Sequence, residues 1–278
     1  MDAVRDRYPE HFRRFGVRRL PMIAVATAMF ALLLFGMDRL GFFDGKLLSG
    51  MGRLVEIAGL MLPPDPGSWA HARAYGMALI ETVAIALLGT LSAAVLALPV
   101  GLLAARNVTA QRIVRFLARR SLDTIRSVDI LIWALIWINV VGLGPFAGAL
   151  AIMTSDIGSF GKLFSEAIEA ADRKPVEGIA SAGGSHFMGI RFGILPEVFP
   201  VLASQVLYYF ESNTRSATII GIVGAGGIGL HLAEAIRTLE LQQTSFIILM
   251  ILVTVAAIDL VSSQLRFAMI GRRGGANA

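Results

Sequence analysis

The 278-residue chain is too apolar for a soluble protein of its size, with 55 % hydrophobic residues, 16 % charged residues and a mean hydropathy of +0.69. A soluble domain carries about a quarter charged residues. The chain has no cysteine and its four histidines are scattered, which excludes disulfides and thiolate metal sites and leaves no pattern for a metal centre. The net charge of +5 suits basic loops beside anionic lipid, so we predict a lipid bilayer and no nucleic acid as partner.

Apolar stretches of about 20 residues predict transmembrane helices, since each residue rises about 1.5 Å through a hydrocarbon core of about 30 Å. Six such spans are predicted, at 20–38, 76–103, 127–143, 146–164, 195–213 and 242–265. No small-residue cleavage site follows the first span before Asp38, so we read it as an uncleaved anchor. Helically spaced apolar residues between 46 and 61 predict a short helix on the outer membrane face, ended by Pro63 and Pro64.

Lysine and arginine positions predict the orientation. The segments 1–19, 104–126, 162–193 and 266–278 hold 19 of the 25 basic residues, and the two opposite segments hold the other six. Cytoplasmic loops carry the excess of positive charge in membrane proteins. Both termini and the two long basic loops are therefore expected in the cytoplasm.

The stretch SATIIGIVGAGGIG (216–229) contains the spacing G-x-G-x-x-G, which is also the dinucleotide-binding fingerprint. That fingerprint requires a strand before it and an acidic residue about 20 residues later in a soluble unit. Here an apolar helix precedes the glycines, and Glu234 and Glu240 come too early. We therefore predict a discontinuous segment that lines or gates a pathway, with close helix packing as the alternative. Its glycines are Gly221, Gly224, Gly226, Gly227 and Gly229.

The loop at 166–196, EAIEAADRKPVEGIASAGGSHFMGIRFGILP, is too long for a simple connector, and its apolar residues recur at helical spacing. It predicts short surface helices that dock on a soluble partner. The chain has no G-x-x-x-x-G-K-[ST] phosphate loop, so we expect no cofactor in this chain and nucleotide hydrolysis by that partner.

This loop resembles the cytoplasmic signature of the binding-protein-dependent ABC importer permeases, which reads E-A-A, three residues, G, nine residues, I-x-L-P. The matching positions are residues 177–179, Gly183 and the pair at 195–196. Glycine and isoleucine replace the two alanines, and Gly193 replaces the isoleucine. The spacing and the final Leu-Pro survive.

Four segments in the same order look like the permease of the phosphonate-type ABC importers: PPDPGSW, KLFSEAIEAADRKPVEGIASAGGS, RFGILPEVFP and YYFESNTRSATIIGIVGAGGIG. The resemblance covers most of the chain from about residue 60 onward. It implies an all-α integral membrane protein with the type I ABC importer permease fold, acting in the cytoplasmic membrane. It further implies a homodimer, two ATP-binding subunits, and an external binding protein that delivers phosphonate, phosphite or phosphate.

On this reading the chain has three parts: residues 1–75 with the first span and the external helix, a permease core at 76–270, and a tail at 271–278. The core contains a coupling loop at 166–193. Gly183 is expected to supply a turn that a side chain would hinder, and Pro196 to sit in the first turn of the next helix. The residues expected to couple to the ATPase are Glu177, Gly178, Ala180, Gly183, Gly184, His186, Phe187 and Pro196.

A dense polar cluster at 212–216 lies beside the glycines. An anion crosses a low-dielectric slot only with hydrogen-bond donors or a positive field. We therefore predict that Asn213, Arg215 and Ser216 border the translocation path. The alternative is that Arg215 forms a structural ion pair with Glu211, one helical turn away.

The sequence is also compatible with other transport functions. The methionine and glycine-betaine permeases share the glycine-rich stretch and the loop signature. A gradient-driven transporter would use membrane carboxylates as ion relays, and Glu81, Asp129 and Asp259 lie where such relays occur. A membrane anchor for an oxidoreductase would need cofactor ligands that the sequence does not offer.

Overall fold

The computed structural model describes residues 20–42 and 46–274, and all regular structure within these ranges is helical, which confirms the all-α prediction. The chain divides into two compact units, Met1–Leu60 and Met61–Ala278. The helices of the first unit are α1 (Leu20–Arg39) and α2 (Lys46–Leu60). Those of the second are α3 (Trp69–Ala104), α4 (Arg112–Arg126), α5 (Ile130–Val141), α6 (Pro145–Ala170), α7 (Lys174–Ser181), α8 (His186–Met188), α9 (Leu195–Ile222), α10 (Ile228–Arg237) and α11 (Leu241–Gly274), with a π-helical segment, Gly189–Ile194, before α9.

In the first unit, α1 follows the predicted first span to within one residue. Its 20 residues reach about 30 Å, enough to cross the hydrocarbon core. The side chains of residues 21–35 are all exposed, as expected for a helix that lipid surrounds. The predicted short helix is α2, which ends at Leu60, ahead of the two prolines.

In the second unit, α3, α6 and α9 form the core, and small residues bring α3 and α6 together. Ala86, Ala93 and Ala97 of α3 are completely buried. A methyl group added at Gly89 would lie 2.7 Å from the Cβ of Ile152 on α6. Apolar side chains gain little by leaving lipid for protein, so membrane helices associate through close van der Waals contact at small residues.

Length and hydropathy by themselves support four or five of the six predicted spans. Four helical stretches of the described residues are long and apolar enough to cross a membrane, at 21–39, 69–104, 186–222 and 241–268, and α4 with α5 makes a fifth candidate bent by 88°. Alone, the 12 residues of α5 reach about 18 Å, which is too short. The predicted span at 146–164 lies in α6, which is long but carries Asp156 and Lys162. Asp156 is buried among neighbouring helices, so α6 does not need an apolar sequence to be accommodated.

The fifth span was predicted to end at residue 213, within the polar run 211–215, and this end is wrong. Helix α9 continues through these polar residues to Ile222, because Glu211 and Asn213 find partners on neighbouring helices. The chain breaks instead at 223–227, where Gly224, Gly226 and Gly227 have φ of +106°, +83° and +72°. Residues with a side chain rarely adopt these φ values, which explains why glycine occupies the three positions.

Candidate functional site

The glycine turn, residues 223–227, joins α9 to α10 at very close range. A methyl group at Gly221 would lie 2.5 Å from the carbonyl oxygen of Gly226, and one at Gly229 would overlap the carbonyl oxygen of Thr218. The glycines predicted to gate a pathway therefore let two helices touch through their backbones. Close packing, the alternative weighed from the sequence, is present here whether or not the segment also moves.

Two side chains of α3 hold the glycine turn in place. The Gly227 N–H donates to Oε1 of Glu81 at 2.9 Å, and the Ile228 N–H donates to Oγ1 of Thr82 at 2.8 Å. From the other side, the Gly144 N–H donates to the Gly224 carbonyl at 3.0 Å. The sequence did not indicate this role for Thr82, and it suggested Glu81 only as a potential ion relay.

A cavity of about 730 Å³ lies beside the glycine turn. Its wall includes Glu81, His231 and Arg237 together with apolar residues of the α5–α6 connection. His231 also stacks edge-on against Tyr75, with ring centroids 5.5 Å apart. The turn is thus bordered by a space large enough for a small molecule.

A buried polar cluster joins the three core helices. The side-chain amide of Asn213 donates to Oδ2 of Asp156 at 2.5 Å and to Oγ1 of Thr90 at 2.8 Å. All three side chains are buried. Asn213, predicted to border the path, therefore lies inside the protomer in this structure.

Arg215 lies on the open side of α9. Its Nη2 is 3.1 Å from Oε1 of Glu211, so the ion pair considered from the sequence is present. The Glu211 side chain is only 10 % exposed, whereas that of Arg215 is 48 % exposed. Ser216 is half-buried, and its hydroxyl donates to the Ser212 carbonyl at 3.4 Å. Of the three predicted path residues, Arg215 has the most exposed side chain.

The predicted coupling loop forms α7 and α8. Helix α7 ends as a Schellman motif, with the Gly184 N–H donating to the Ile179 carbonyl and the Gly183 N–H to the Ala180 carbonyl. Gly183 has φ +82°, as its predicted turn role requires. Pro196 lies in the first turn of α9, also as predicted, although the helical path already begins at His186.

Most of the predicted coupling residues are exposed. Phe187 is 68 % exposed and so does not pack into the protomer. An exposed aromatic side chain in such a loop is typical of a surface that contacts another protein. His186 is anchored by a contact of 3.0 Å between Nε2 and the Val108 carbonyl. The other exposed members of the predicted set are Glu177, Gly178, Ala180, Gly183 and Pro196.

Glu169 ties this end of the molecule together, a role that the sequence did not reveal. Its carboxylate accepts the Arg106 N–H at 2.6 Å and pairs with the guanidinium groups of Arg119 and Arg106. The end of α6 is therefore fixed to α4 and to the turn after α3, the same turn whose Val108 carbonyl contacts His186 of α8.

Comparison with known proteins decides the family. Residues 97–272 match the family described as "binding-protein-dependent transport system inner membrane component". The chain belongs to this family. It is a transport permease of the ABC importer type and a multi-pass protein of the inner membrane.

The family's members include close relatives. The phosphite transport system permease protein PtxC of Stutzerimonas stutzeri is 36 % identical over 259 residues, which cover 92 % of this chain and 93 % of PtxC. The phosphate-import permease protein PhnE of Mycolicibacterium smegmatis is 35 % identical over 273 residues. That alignment takes in 97 % of this chain but only 48 % of PhnE.

A solved structure of the MetNI methionine ABC transporter has the same fold. It superposes with a TM-score of 0.64 at 18 % identity, covering 73 % of this chain and 99 % of that one. At this identity the similarity speaks for the ABC importer permease fold alone, and this fold was predicted from the sequence.

Proposed function

We propose that this chain is the permease of an ATP-driven importer that carries phosphorus oxyanions, namely phosphonate, phosphite or phosphate, into the cytoplasm. The observation that carries the proposal is the alignment with a phosphite permease over nearly the full length of both chains. The phosphate-import relative extends the same chemical class. An external binding protein delivers the anion, as the name of the family implies.

A partner ATPase supplies the energy, since the chain has no phosphate loop of its own. The exposed residues of α7 and α8 form the coupling surface, and Phe187 is its apolar anchor. The ion pairs of Glu169 fix the end of α6, from which the chain enters this surface. Closure of the ATPase pair then moves α6 and α9, which the coupling loop connects.

A second copy of the chain completes the pathway. The half-exposed Arg215 guanidinium lies on a membrane helix, and lipid is a costly environment for a charge. If the path lies between two copies, the Arg215 guanidinium contacts water and the transported anion instead of lipid. The length of the PhnE relative is consistent with this arrangement, because it leaves room for a second permease-sized segment in one chain.

In this assembly Arg215 and Ser216 border the path. Asn213, on the buried side of the same helix, fixes α9 to α3 and α6. The glycine turn forms the outer gate. The glycines that let α9 and α10 approach are Gly221, Gly224, Gly226, Gly227 and Gly229. The coupling surface and both termini face the cytoplasm in this proposal, and the excess of positive charge in the loops on that side supports it. The cavity beside the glycine turn then opens toward the outside, where the binding protein docks.

Binding-protein-stimulated ATP hydrolysis tests this function. The purified permease is combined with its ATPase and with a phosphonate-type binding protein loaded with methylphosphonate, phosphite or phosphate. Stimulation by at least one loaded form is expected, and a methionine-loaded binding protein serves as the control. Stimulation by methionine alone would assign the chain to the methionine importers, and no stimulation by any of them would refute the proposal.

A further inference from the structure

Glu211 is shared between two arginines, one on its own helix and one on α11. Its Oε1 lies 3.1 Å from Nη2 of Arg215, and its Oε2 lies 3.4 Å from both Nη1 and Nη2 of Arg266. Each carboxylate oxygen therefore serves a different guanidinium. Arg266 also approaches Asp259, with 3.9 Å between Nη2 and Oδ1.

Glu211 of this cluster lies near the middle of the predicted membrane region, and Arg266, which the sequence count assigned to the cytoplasmic tail, reaches it from α11. Asn213, between Glu211 and Arg215 in sequence, bonds to Thr90, which lies in the central third of α3. At that depth a carboxylate must be paired or hydrogen-bonded to remain charged. Both arginines pair with Glu211, but the Arg266 side chain is only 22 % exposed, whereas the Arg215 side chain is 48 % exposed.

The two arginines are therefore not equivalent. If Arg215 turned away, Glu211 would keep a two-pronged contact with Arg266 and would not be left as an unpaired buried charge. If Arg266 were absent, Glu211 would depend on Arg215 alone and would hold it. The geometry thus permits Arg215 to leave its partner and keeps Arg266 in place.

We propose that Arg215 exchanges between Glu211 and the transported oxyanion, and that Arg266 neutralises Glu211 while it does so. This inference rests on the proposed import of a phosphorus oxyanion. A planar guanidinium donates two parallel hydrogen bonds to carboxylate and phosphate-type oxygens alike, so Glu211 and the anion compete for the same donor. Arg215 is the anion-binding residue, and Glu211 and Arg266 are positioning residues that set how readily it is released.

Two double variants with the same net charge separate this exchange from a purely structural ion-pair network. The full importer is reconstituted in proteoliposomes, and uptake of methylphosphonate, phosphite and phosphate is measured for each variant. Arg215→Gln and Arg266→Gln are each expected to lower uptake by roughly 10- to 100-fold. Glu211→Gln combined with Arg266→Gln should regain most of that loss, because Arg215 is then free. Glu211→Gln combined with Arg215→Gln should remain as low as Arg215→Gln.

A structural network predicts a different outcome. Both doubles remove one opposite pair of charges, so both would recover, or neither would. The exchange is overturned if uptake recovers equally in the two double variants. It is also overturned if uptake recovers in neither of them while size exclusion shows an intact complex. If the doubles fail to assemble, the single Glu211→Gln decides, because the exchange requires its uptake to exceed that of Arg266→Gln about tenfold or more. A wild-type complex that carries none of the three anions would instead refute the proposed function.

Discussion

Asp156 shows how a carboxyl group is accommodated in the middle of the helix bundle. It is buried, and its partner is the side-chain amide of Asn213, which also contacts Thr90. An amide can donate to a carboxyl oxygen and a hydroxyl at the same time, so one residue satisfies two helices. The cluster therefore fixes the relative positions of α3, α6 and α9.

Exchanging the amide and the carboxyl group between positions 213 and 156 tests this role. Asn213→Asp places two carboxyl groups within hydrogen-bonding distance and should destabilise the protein by about 2–3 kcal/mol. Adding Asp156→Asn restores one amide and one carboxyl group and should recover most of the loss. Thermal unfolding of the detergent-solubilised protein measures both. If the double variant is no more stable than Asn213→Asp, the pair does not hold the helices together.

The glycines of α9 and α10 give a second prediction at this scale. Gly229→Ala should destabilise the fold by about 1–3 kcal/mol, because the added methyl group meets the Thr218 carbonyl oxygen, part of the rigid α9 backbone. Gly76→Ala is the matched control, since a methyl group there meets nothing within 4 Å and a helix favours alanine. Equal melting temperatures for the two variants would contradict the close approach of α9 and α10.

Local features of single residues could be predicted from the sequence, and distant pairings could not. Gly183 and Pro196 follow from turn and helix-start chemistry within a few residues, and the structure confirms both positions. The contact between Glu81 and Gly227 joins residues 146 positions apart. No periodicity or turn rule reports such a contact, and a glutamate in an apolar stretch is the single signal that the sequence gives.

At the scale of elements, α9 shows what hydropathy misreads. A polar run was expected to end a membrane helix, but polar side chains remain helical when neighbouring helices satisfy them. Glu211 and Asn213 find those partners on α11, α3 and α6. Glycines with positive φ end the helix instead, the first of them nine residues after Arg215. Backbone chemistry is therefore the better guide to breaks in this chain.

The coupling surface gives a prediction at the same scale. Phe187→Asp should reduce recovery of the ATPase with the purified permease by about tenfold or more, because a charge replaces the exposed aromatic anchor of α8. Leu239→Asn is the control, since Leu239 is similarly exposed and belongs to the α10–α11 connection, and its φ of +60° is one that asparagine tolerates. Loss of the ATPase with both variants, or with neither, would argue against α8 as the docking element.

For the whole molecule, composition and spacing were enough to predict a helical membrane permease, and the family match over 97–272 confirms it. Two predicted spans are not supported by hydropathy alone: α5 is short and qualifies only together with α4, and α6 carries buried polar residues. Hydropathy measures each segment against lipid, whereas α6 is largely surrounded by protein. The difference lies in tertiary packing, which a single sequence does not display.

Energy coupling separates an ATP-driven importer from a gradient-driven one. The carboxylates that could serve as ion relays are engaged otherwise: Glu81 holds the glycine turn, Asp129 caps α5 at 2.8 Å from the Leu131 nitrogen, and Asp259 approaches Arg266. These structural contacts favour the proposed ATP-driven import over a gradient-driven mechanism.

Uptake of labelled phosphite into proteoliposomes tests the central claim most directly, with permease, ATPase and binding protein all present. Accumulation is expected to require ATP, to persist when ionophores collapse every ion gradient, and to fall by roughly 10- to 100-fold with Arg215→Gln in an intact complex. Accumulation that ionophores abolish, or that continues without ATP, would contradict the claim.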